Sequence, residues 1–70
     1  MLQTVKRCLT YTDAMRVQMF LGSRGVEAFI PDEITSQLAP AEFMHMAGIR
    51  VQTRTEDAQR AIDELKDFDA

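Results

Sequence analysis

Thr10-Tyr11-Thr12-Asp13-Ala14-Met15-Arg16-Val17-Gln18-Met19-Phe20-Leu21-Gly22-Ser23-Arg24-Gly25-Val26-Glu27-Ala28-Phe29-Ile30 carries a helix start, a helix stop and a strand pattern in one passage. Thr10 and Asp13 have the spacing of a capping box, in which a hydroxyl takes the third helical amide and a carboxylate reaches back. Ala14, Val17 and Leu21 then recur three and four apart, the spacing of one buried helix face. Gly25 supplies a residue that can turn left-handed after the last turn. Val26 to Ile30 alternates like a strand and stops at Pro31.

Upstream, Gln3 to Leu9 reads as a first strand with Val5 and Leu9 on one side of the pleat and Lys6 and Cys8 on the other. Arg7 breaks that alternation, so either its stem lies along the sheet or a bulge sits nearby. Downstream, Pro31 to Gly48 is too long for an ordinary hairpin loop. Within it Pro40-Ala41-Glu42 opens a short helix that Gly48 ends, with Phe43, Met46 and Ala47 on one face. Ile49, Val51 and Thr53 alternate with Arg50 and Gln52 as a third strand. Thr55 is placed to cap a last helix with an apolar stripe of Ala58, Ala61, Ile62 and Leu65, and Glu56 stands four residues before Arg60. The expected fold is therefore α+β with the order β-α-β-β-α. It is a ferredoxin-like split βαβ core, a three-stranded sheet with two helices on one face and a short helix in the second connection.

Seventy residues make a single domain, 1–70, because two cores at this length would each fall below the usual limit of about 40 residues. Cys8 is the only cysteine, which excludes an internal disulfide and fits a reducing compartment. The apolar runs are far shorter than the roughly 20 residues of a membrane span, and the first residues lack the order of a signal peptide. A cytoplasmic chain without a membrane partner is expected. Net charge is −3, with the acids concentrated after Pro31, which argues against a nucleic-acid backbone as partner.

The residue types of catalysis do not assemble. His45 lies between Met44 and Met46, donors that suit cuprous copper, but consecutive helical side chains diverge and no metal site is expected. Cys8 and His45 lack a third group to orient them as nucleophile and base. Asp32-Glu33 and Asp63-Glu64 fit solvated faces better than a catalytic pair. Gly22, Gly25 and Gly48 do not have the spacing of a phosphate loop, so no cofactor is expected. The chain reads as a non-enzymatic module. Its expected partner surface is a second ridge on the first helix, Tyr11, Met15 and Met19, at steps of four and displaced by about 100° from the buried stripe. The alternative is a small-ligand sensor whose ligand lies beside residues 31–48, with Gln37, Glu42 and His45 as polar contacts.

Several of these pieces also resemble a known family. Asp13-Ala14 on the capped helix, Gly25-Val26 at its exit, Pro40-Ala41-Glu42, Arg50-Val51 and the run Glu56-Asp57-Ala58-Gln59-Arg60-Ala61 are similar to the prokaryotic signal-transducing family, a domain of unknown function. The resemblance implies a bacterial regulatory role and a fold like that of the nitrogen-regulatory signalling proteins. It implies no catalytic or binding residues. A three-stranded sheet would leave its first two strands as open edges, and a twofold dimer through the first helix or an edge would cover them. A homodimer is the expected state.

Overall fold

The computed structural model describes residues 1–31 and 48–69. Strand β1 is Leu2–Cys8, helix α1 is Tyr11–Ser23, strand β2 is Ile49–Arg54 and helix α2 is Thr55–Phe68. Among the described residues the sheet has two antiparallel strands, and the order is β-α-β-α. This overturns the expected ferredoxin-like, three-stranded β-α-β-β-α architecture. The expected short helix between Pro40 and Gly48 lies outside the described residues.

The missing strand has a local cause. Val26, Ala28 and Ile30 are buried while Glu27 and Phe29 point outward, so the predicted alternation is present. Its ladder is a single bridge, in which the Phe29 amide donates to the Gln52 carbonyl at 2.7 Å and the Gln52 amide donates back at 2.8 Å. Continuing two residues on would require the amide of Pro31 opposite Arg50, and proline has none. Two residues earlier, Glu27 meets Arg54 by its side chain instead, at 2.9 Å. The Val26 amide is taken by the helix exit, donating to the Leu21 carbonyl at 2.9 Å.

β1 carries a bulge between Thr4 and Lys6: Thr4 pairs with Gln52, Lys6 pairs with Val51, and Val5 is the extra residue. The bulge resolves the irregularity at Arg7. Thr4 lies on the outer face with Gln52, and the bulge turns both Val5 and Lys6 toward the helices, keeps Arg7 out, and returns Cys8 to the core beside Ile49. Leu9, expected on the same side as Val5, is 62 % exposed, and Cys8, expected on the opposite side from Val5, is buried with the core that Val5 packs against.

One apolar cluster holds the elements together. Ala14, Val17 and Leu21 of α1 meet Cys8, Ile49 and Val51 of the sheet, Val26, Ala28 and Ile30 of the bridging segment, and Ala61 and Leu65 of α2. Thr53 shares this face at no exposure, and its hydroxyl donates to the Arg54 carbonyl at 3.0 Å. The start of α1 is as predicted, with the Thr10 hydroxyl accepting from the Asp13 amide at 3.1 Å. Its exit runs through Gly25 at φ 81°, a conformation that costs glycine nothing.

α2 corrects three expectations. Its N-cap is Arg54, without a side-chain cap. Thr55 is the first helical residue, and both its amide and its hydroxyl donate to the Met1 carbonyl, at 3.0 and 3.2 Å. The buried stripe is Ala58, Ala61 and Leu65; Ile62 turns past its edge and is 37 % exposed. Arg60 reaches across to α1, donating to the Arg24 carbonyl at 2.7 Å.

Candidate interaction surfaces

The two helices lie antiparallel where they touch. Phe20 packs on Phe68 with ring centroids 5.2 Å apart, and four residues on, at the C-cap of α1, the Arg24 guanidinium meets Glu64 at 3.2 Å and Asp67 at 3.4 Å. The same guanidinium lies 4.8 Å from the Phe20 ring centroid, a cation–π geometry. This contact covers one flank of the second half of α1. Because α2 ends at Phe68, beside Phe20, the same flank of the first half has no helix along it among the described residues.

An open cleft of about 350 Å³ lies there, lined by Lys6, Arg7, Cys8 and Leu9 at the end of β1, Asp13, Arg16 and Val17 of α1, and Phe68. Lys6 reaches Asp69 at 3.1 Å across an exposed ion pair. Arg16 makes no ion pair among the described residues. Burial pushes the Cys8 thiol above its ordinary value of 9.0, Lys6 opposes that, and the carboxylates of Asp13 and Asp69 add to it. The thiol is therefore protonated at neutral pH and is a poor nucleophile.

On the other flank of α1 the Gln18 side chain donates to the Ala28 carbonyl at 3.0 Å. Beyond it runs the sequence-predicted ridge. Tyr11 is half-buried and packs against the core, whereas Met15 and Met19 are 39 % and 70 % exposed. The ridge thus splits, with its aromatic end committed to the fold and its methionine end presented outward. Gln37, Glu42 and His45 lie outside the described residues.

A surface that periodicity did not single out is the outer edge of β1. In an antiparallel ladder, a residue that exchanges hydrogen bonds with one neighbouring strand turns those groups away from the other. Gln52 exchanges both bonds with Phe29, so its partner on β1, Thr4, directs its own amide and carbonyl out of the sheet. Leu2, two residues earlier, follows the same phase opposite Arg54. Neither has a strand beside it among the described residues. Lys6 and Arg7 follow the bulge, a charged and twisted end that resists casual pairing.

No helix among the described residues is long and apolar enough to cross a membrane. No protein-family model, no curated protein and no solved structure matches this chain.

Proposed function

We propose that this chain is a small non-enzymatic regulatory module that works as a homodimer, joined through the first half of β1. The supporting observation is the outward phase of Leu2 and Thr4 on an edge without a neighbour. A twofold axis at Gln3 sets Leu2 of one copy opposite Thr4 of the other, so each such pair exchanges both backbone bonds and the sheet runs unbroken through two protomers. In that register Lys6 and Arg7 lie beyond the overlap, and no cation faces its own copy. The similarity of the sequence to the prokaryotic signal-transducing family is in keeping with a regulatory role, and the exposed Met15 and Met19 offer an adaptable surface for a protein partner.

Sedimentation equilibrium on the parent, on Thr4→Pro and on Met15→Glu combined with Met19→Glu tests the arrangement. Proline removes a backbone donor that points away from β2; within the protomer it costs only the side-chain bond that the Thr4 hydroxyl accepts from Gln52 at 3.1 Å, so the fold is kept while the edge loses a bond. A dimer abolished by the proline and untouched by the glutamates is the expected result. A parent monomeric at high micromolar concentration overturns the proposal, and a dimer dissolved by the glutamates alone moves the interface to α1.

A further inference from the structure

We infer that the cleft between the end of β1, the first half of α1 and Phe68 is a binding site for a small monoanionic organic acid with an apolar body. Its lining divides by chemistry. Val17 and Phe68 supply apolar wall, Leu9 adds an exposed apolar rim, and Lys6, Arg7 and Arg16 supply cations. The volume, about 350 Å³, sits at the small end of ligand sites and suits a body the size of one aromatic ring.

The charges argue for an acid. Arg16 holds a planar fork of donors with no ion-pair partner among the described residues, and such a fork takes a carboxylate through two parallel bonds. Lys6 is already bound to a carboxylate, that of Asp69, at 3.1 and 3.4 Å to its two oxygens. Both partners of that pair are solvated, so it is weak and a ligand can share or replace it. Asp13 stands in the same lining and disfavours a second negative charge on the ligand. Lys6 is paired with Asp69 and Arg7 is engaged as well, which leaves Arg16 as the cation for a ligand, so a monocarboxylate fits better than phosphate or a dicarboxylate. The site is at the far end of β1 from Leu2 and Thr4, so it does not depend on the proposed dimer.

The test is a titration of the full chain, followed by amide chemical shifts, with phenylacetate, with 2-phenylethanol as the same body without the charge, and with inorganic phosphate as charge without the body. Phenylacetate is expected to move Lys6 to Leu9, Asp13 to Val17 and Phe68, and to bind at least five times more tightly than either control. Arg16→Gln, an exposed change that leaves the core untouched, is expected to bring phenylacetate down to the level of the alcohol. Shifts that fall elsewhere, an alcohol that binds as well as the acid, a phosphate that binds as well as phenylacetate, or an unchanged affinity in Arg16→Gln would each overturn the inference.

Discussion

The two halves of α1 share one buried stripe and differ in what lies beside it. Val17 in the first half and Leu21 in the second are both almost fully buried, yet the second half is flanked by Phe68, Arg60, Glu64 and Asp67, and the first half borders an open cleft. The difference is one of helix length and register, since α2 ends where its antiparallel contact reaches Phe20. A small domain can thus keep a closed core and still leave a concavity, by letting one helix stop short of the other.

The largest effect should come from the sealed half. Leu21→Ala removes a side chain with no exposure at the centre of the cluster, and a loss of about 3 kcal/mol in urea denaturation is expected, within the usual range for such truncations. A loss below about 1 kcal/mol would mean that the two halves are equally loose. Phe20→Ala breaks the ring contact with Phe68 and the face under Arg24, and because Phe20 is only half-buried the expected cost is smaller, about 2 kcal/mol. It should also widen the cleft toward the helix exit, readable as new shifts at Arg24 and Glu64 on titration with phenylacetate.

In the open half, Thr10→Ala removes the acceptor of the Asp13 amide and should cost about 1 kcal/mol. Thr10→Asp should recover most of it. The smallest effect is one of pH. The folded Cys8 thiol ionises above its ordinary value of 9.0, so its contribution to stability is complete below pH 9 and is lost as pH rises through the folded value. Denaturation at pH 8 and pH 10 should show a steeper fall in the parent than in Cys8→Ala. Equal slopes would indicate that water reaches the thiol through the cleft.

What could be read in the sequence was whatever depends on neighbours within a few residues. The Thr10 cap, the Ala14, Val17, Leu21 stripe and the Gly25 exit are of this kind, and so is the inward turn of Val26, Ala28 and Ile30. The ladder was not legible, because it depends on which residue β2 sets opposite Pro31. Arg7 signalled a bulge without locating it; the pairing puts it at Val5. Thr55 looked like a cap because its real partner, the Met1 carbonyl, is distant in sequence. Ile62 looked buried because four apolar positions suggested a wider stripe than the three that meet the core. The cleft had no periodic signal, since it follows from where α2 ends; the open edge of β1 was expected from strand order, but which of its residues turn outward follows from the phase of a single bridge.

The bulge at Val5 gives the two strands unequal tolerance to changes in length. β1 holds one residue more than its pairing with β2 consumes, so it carries slack. If any one residue from Val5 to Arg7 is deleted, regular alternation can be restored with Cys8 still inside, at the cost of that residue's own contacts. β2 has no such reserve: deleting Gln52 reverses the facing of everything on one side of the cut, sending either Thr53 or the pair Ile49 and Val51 from the core into water. Single-residue deletions between related sequences should accordingly collect in the first strand and be absent from the second.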